Sequence, residues 1–228
     1  MTRRTSLLSA LILALGLAPA SAEEPNLSAN PSGSHGTAQR LILAQRTWDQ
    51  ALSTGDVLPM LVAIRLARSV TLRPAGGWER TTIGDPVPDA PTGRTAAPDP
   101  ASAAALAIAR NLVGDDPDLQ DLAYDLDAQL PRGRLETATE ARADLGPGQT
   151  DTWRLALFGE VAAELALIGD GDGPLSLTLT DEAGNILCAS PLSRDPALCR
   201  LTPARNGFFT ASIHNPGATV NSYRLIGN

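Results

Sequence analysis

The chain has 228 residues, of which 43% are apolar, 19% charged and 4% aromatic, with a formal net charge of −7. That length supports one large or two small domains. The acidic surplus argues against nucleic acid or an anionic membrane as the main partner, because phosphate recognition needs clustered cations.

The N-terminus reads as a secretory signal. Arg3 and Arg4 precede an apolar run from Leu7 to Ala18, and Ala20-Ser21-Ala22 offers small residues at a cleavage site before Glu23. The run is too short for a permanent membrane span, and no later segment is long and apolar enough to make one. Removing residues 1–22 deletes two Arg and no acid, so the mature charge moves from −7 to −9. The expected location is periplasmic or secreted.

Residues 23–36, rich in Pro, Ser, Asn and Gly, read as a flexible leader. Helical spacing starts near Thr37, with Leu41, Ala44, Trp48, Ala51 and Leu52 on one stripe. Gly55 is a stop, and Asp56 caps a second helix expected over residues 57–72. Five Pro and four Gly then break residues 73–99 into a Pro-rich loop, with Trp78 the one aromatic there able to touch a ligand. Asp99-Pro100 and Asp116-Pro117 each read as the cap and first position of another helix, stopped at Gly114 and Pro131. Residues 37–133 are thus expected to form a small four-helix bundle.

Beyond Arg134 the apolar period changes to two. Trp153 and Leu155 alternate with Thr152, Arg154 and Ala156. Leu165 and Leu167, then Leu175, Leu177 and Leu179, then Phe209, Ala211 and Ile213, and finally Tyr223 and Leu225 continue the pattern, separated by Gly, Asn and Pro turns. Short strands at this spacing predict an antiparallel β-sandwich. The expected fold is therefore α+β as separate units, a helical bundle followed by a sandwich over residues 134–228. The two cysteines, Cys188 and Cys199, are expected to pair in an oxidising compartment. Phe208 faces outward if Phe209 faces inward, and so is a second candidate ligand contact.

Catalytic constellations are hard to assemble from this sequence. Its two histidines are His35 in the leader and His214 on an outward strand position. Asp118, Asp121 and Asp125 share a helix face and could serve a carboxylate-based hydrolase, although such a face is usually solvated. Non-catalytic binding is the leading expectation and the hydrolase the alternative.

Residues from about 134 to the end resemble the bacterial pre-peptidase C-terminal domain. The opening turn and strand correspond to Gly148-Gln149-Thr150-Asp151-Thr152-Trp153. The acidic turn and central strand correspond to Gly169-Asp170-Gly171-Asp172 with Leu175, Leu177 and Leu179, and the next hairpin to Asp181-Glu182-Ala183-Gly184-Asn185. Pro203, Gly207-Phe208-Phe209, Asn215 and Tyr223-Arg224-Leu225 resemble the last two strands. The resemblance implies a jelly-roll sandwich that is non-catalytic and serves secretion, stability or attachment. It also makes Asp170 and Asp172 candidate calcium ligands in a calcium-stabilised adhesion-type module, although Pro174 and Ser176 stand where the family often has Asp. The competing reading of Asp170 and Asp172 is a solvated turn that uses Asp for its backbone preference. No other cofactor is implied. The partner would be an envelope protein or a polysaccharide.

Overall fold

The computed structural model describes residues 23–29, 36–93, 99–128 and 136–228. The signal-like segment and His35 lie outside the described residues. Four helices occupy the N-terminal half: α1 (Thr37–Thr54), α2 (Val57–Arg68), α3 (Ala103–Val113) and α4 (Pro117–Ala128). Gly55 closes α1 in the left-handed conformation, φ 70°, which costs glycine nothing. Asp56 then caps α2 by accepting from the Leu58 amide at 3.2 Å. At α3 the cap is Ser102, whose hydroxyl accepts from Ala105 N at 3.1 Å, rather than Asp99. Asp99 instead forms the preceding turn, accepting from Ala101 N. Trp48, Met60, Ile64, Leu106 and Leu126 fill a helical core of their own.

Ten strands form two five-stranded sheets. Sheet A has the order β1 (Val70–Pro74), β3 (Glu136–Leu145), β10 (Asn221–Gly227), β5 (Ala163–Gly169), β8 (Ala197–Leu201). Sheet B has the order β2 (Glu79–Ile83), β4 (Thr150–Leu157), β9 (Gly207–His214), β6 (Leu175–Thr180), β7 (Ile186–Ser193). Every strand pair is antiparallel except β1–β3. The period-two residues of both sheets share one buried cluster, with Leu165 and Leu225 from sheet A meeting Trp153, Leu177, Phe209 and Ile213 from sheet B.

Three expectations change. First, the helices and sheets are not separate units. Leu41 and Ile42 of α1 and Ala67 of α2 share a cluster with Ala138, Ala166, Ile168 and Ile226 on the other face of sheet A. Strand β5 is consequently buried on both faces, and a continuous apolar run is what such a strand requires. Second, α2 ends at Arg68, and residues 70–74 pair with β3 instead of completing the helix; the β-branched Val70 and Thr71 suit a strand. The segment expected as loop 73–99 likewise supplies β2, and Thr92 bridges to Val220. Its prolines do not interfere, because Pro74 ends an edge strand and Pro86, Pro88 and Pro91 lie beyond β2. Third, residues 23–29 of the expected leader are docked. Asn26 is buried, donates its amide to Asp181 Oδ2 at 3.0 Å, and exchanges side-chain hydrogen bonds with the Arg205 backbone.

A single glutamate ties α1 to the sheet. Gly36 offers no side chain to cap α1. Glu164, on β5 and almost fully buried, accepts from the Ala38 and Gln39 amides at 3.0 and 3.2 Å and pairs with Arg200 at 3.1 Å. A carboxylate placed against a helix N-terminus meets both unpaired amides and the positive end of the helix dipole. Replacing it by alanine strands those amides, so Glu164→Ala is expected to lower the unfolding free energy by about 2–3 kcal/mol, read from denaturant titration. An unchanged midpoint would show that α1 is held by its apolar face alone.

Candidate functional site

Where α1 stops covering sheet A, a cleft of about 580 Å³ opens. Its floor is the polar half of the same sheet face that carries Ala138 and Ile226. Every second residue of β3 and β10 points there, which brings up Arg142 and Asp144 beside Ser222 and Arg224. One wall is α1, through Gln45 and Asp49, and another is the β7–β8 turn, through Arg194 and Pro196. Arg46 joins the two walls by donating to Pro196 O at 3.2 Å.

The floor is internally paired. Arg224 and Arg142 both grip Glu140, at 2.5 and 2.9 Å, and both reach Asp99 Oδ2, at 3.1 and 2.9 Å. Ser222 donates its hydroxyl to Asp144 at 2.6 Å. The walls differ. Asp49 accepts a hydrogen bond from Gln45 at 2.9 Å but has no cation against it among the described residues. Asp49 is an exposed residue, but partial enclosure of its carboxyl raises it above the ordinary carboxylate value, and the Gln45 bond offsets part of that rise. Arg194 is exposed at the rim and has no acid against it among the described residues. One cleft thus presents an anion and a cation, neither ion-paired among the described residues, over a floor whose charged groups are bonded to one another, to Ser222 or to the backbone.

The acidic turn contributes to this cleft through Asp170 and Gly171. Asp170 Oδ1 accepts from Asp172 N at 3.0 Å, and Oδ2 accepts from Ser222 N at 2.6 Å, clamping the turn to β10. Asp172 lies against Gly93, where an added Cβ would meet its carboxylate. Among the described residues no three His, Cys, Asp or Glu side chains converge as a metal site would require.

Other expected contacts are dispersed. Trp78 is half-buried, stacks edge-on against Trp153 with centroids 6.4 Å apart, and lines a second cavity at one end of the sheets. Phe208 is exposed on sheet B beneath the Arg154 guanidinium, 3.4 Å from its ring centroid. Asp118, Asp121 and Asp125 are exposed on α4 and line neither the cleft nor the end cavity, and Asp116 is occupied capping that helix. His214 points outward, with Nδ1 3.0 Å from the Thr150 hydroxyl. The expected disulfide is formed and joins β7, at the edge of sheet B, to β8, at the edge of sheet A.

Asp49 and Arg194 escaped the sequence reading. Asp49 is the only acid in α1, directly after the core Trp48, and that isolation was the available signal. Nothing local marks Arg194, whose position depends on how the β7–β8 turn meets α1. Among the described residues no helix is long and apolar enough to cross a membrane. The chain matches no family model and no curated protein sequence.

Proposed function

We propose that this chain is an exported, non-catalytic binding protein of the bacterial cell envelope whose cleft holds a small zwitterion of the short-peptide kind. The observation that carries this reading is the pair of charges in one cleft that have no ion-pair partner among the described residues, Asp49 for an ammonium and Arg194 for a carboxylate. Gln45 and the polar floor supply hydrogen bonds between them. Export is supported by the signal-like residues 1–22 and by the Cys188–Cys199 disulfide. The two sheets are read as a jelly-roll sandwich of the pre-peptidase C-terminal kind. In support, successive strands from β3 to β10 alternate between the sheets at every connection except the β6–β7 hairpin.

The test is calorimetric titration of the mature chain with trialanine, N-acetyl-trialanine and trialanine amide. Trialanine is expected to bind, and blocking either end to weaken binding about tenfold, in the range of a charge-assisted pair. Asp49→Asn should reproduce the acetylation loss and Arg194→Gln the amidation loss. Binding should weaken on acidification, because an Asp49 carboxyl with a raised pKa takes up its proton at higher pH than an ordinary carboxylate. The other charged groups facing the cleft, Asp99, Arg142, Asp144, Asp170 and Arg224, are tied into the floor or the turn. Equal affinity for blocked and free peptides, or binding of a neutral oligosaccharide instead, would reject the reading.

A further inference from the structure

The second cavity lies at the opposite kind of place, between the sheets rather than outside them. It measures about 230 Å³, and its inner surface is Leu155 and Leu179 from sheet B with Leu165 and Leu201 from sheet A. The gap exists because small residues stand where a sandwich normally places bulk. Ala163 faces inward at the start of β5, and Gly227 ends β10 directly beneath Trp78. A Cβ at Gly227 would sit 3.1 Å from the Trp78 ring, so glycine lets the indole close one side of the cavity. The mouth is the β4–β5 connection, where Phe158 is 70% exposed and Val161 52% exposed. Two large apolar side chains flanking an open apolar cavity form a patch whose hydration an apolar occupant would relieve.

We infer that this end pocket binds the hydrocarbon chain of a small amphiphile, with the headgroup left in solvent. The electrostatics specify an uncharged occupant. Among the described residues of the lining Glu164 is the only one with an ionisable side chain, and its carboxylate is already held, outside the space between the sheets, by the Ala38 and Gln39 amides and by Arg200. The geometry favours a narrow one, because facing sheets stand about 10 Å apart and the inner lining is thinned along the Ala163–Gly227 column, where side chains are small or absent. An unbranched chain satisfies both. This site is separate from the cleft, and its test does not depend on the peptide reading.

Trp78 provides the reporter. In the mature chain, 11-bromoundecanoic acid is expected to quench tryptophan fluorescence saturably, and Trp78→Phe to remove most of the quenched signal. Ala163→Leu fills the column and should weaken binding about tenfold, since each displaced methylene is worth about a fourfold change. Val161→Asp alters only the exposed mouth, so the fold tolerates it, and should weaken binding about fivefold through loss of apolar cover. Brominated-chain phospholipid vesicles are the second arm and should quench less than the soluble acid. No saturable quenching, equal affinity in the native chain and both variants, or quenching by vesicles alone would overturn the assignment.

Discussion

Replacing Asp151 by alanine is expected to cost about 3–5 kcal/mol of stability, the range for breaking a buried ion pair from one side. Asp151 is fully buried on β4. Its Oδ2 accepts from Arg80 Nε at 2.8 Å and from the Tyr223 hydroxyl, while Oδ1 accepts from Thr82 at 2.6 Å. Tyr223 in turn accepts from Trp153 Nε1 at 2.7 Å, and Arg80 donates to Asp144 O at 2.7 Å. Arg80 and Thr82 belong to β2, Asp151 and Trp153 to β4, and Tyr223 to β10, so one carboxylate fastens an edge strand to sheet B and sheet B to sheet A. Burial, followed by the hydrogen bond to Asp151, drives the Tyr223 phenol far above its ordinary range, so it stays a hydroxyl donor throughout the accessible pH range. Removing the carboxylate leaves the buried Tyr223 hydroxyl as a donor without an acceptor in a dry interior, while exposed Thr82 can turn to water. Tyr223→Phe removes one link and leaves the Arg80 pair, so its cost should be clearly smaller, about 1–2 kcal/mol. Chemical denaturation of both variants measures the two values. Equal losses would show that the charge pair adds nothing beyond the tyrosine bond.

Reducing the disulfide is the second large effect. Cys188 and Cys199 are 11 residues apart in sequence, and closing so short a loop is worth about 3 kcal/mol in the chain-entropy view. For a chain of this size that corresponds to a fall of about 6–12 °C in Tm. The location makes the loss directional, because β7 and β8 are edge strands of different sheets and the bond closes one side of the layered structure. Cys188→Ser/Cys199→Ser and the reduced native chain should melt at similar temperatures, followed by differential scanning calorimetry. A reduced protein melting with the oxidised one would mean that the apolar layer alone holds those edges.

The sequence made the inward strands legible because their alternation is strict. Leu175, Leu177 and Leu179 alternate with Ser176, Thr178 and Thr180, and all three leucines are buried. The helix starts at Thr37, Val57 and Pro117 were legible from glycine and aspartate punctuation. Three things were not. Strand β3 is built largely of alanine and charged residues, because its outward side chains serve the cleft floor and the helix contact rather than a core. Strand β2, Glu-Arg-Thr-Thr-Ile, has no buried apolar face, and its position is set by Asp151, 71 residues from Arg80 and 69 from Thr82. The docking of residues 23–29 depends on Asp181, whose carboxyl is held below its ordinary value: burial opposes this, but the hydrogen bonds from Asn185, Asn26 and Ala183 outweigh it. The stabilisation from that docking is present above the ordinary carboxylate pKa and is lost as the pH falls through the lower folded value. For the site, turn residues such as Asp170 were visible, but the placement of Asp49 and Arg194 on two walls of one cleft follows from packing α1 on sheet A, which no local pattern encodes.

The most direct test of the functional account is amide NMR of the mature chain titrated with trialanine. The account predicts that shift changes concentrate at Gln45, Asp49, Arg142, Asp170, Arg194 and Ser222, and that they vanish in Asp49→Asn/Arg194→Gln. Changes confined instead to the outer face of sheet B around Thr152 and Phe208, or to α4 around Asp121, would contradict it.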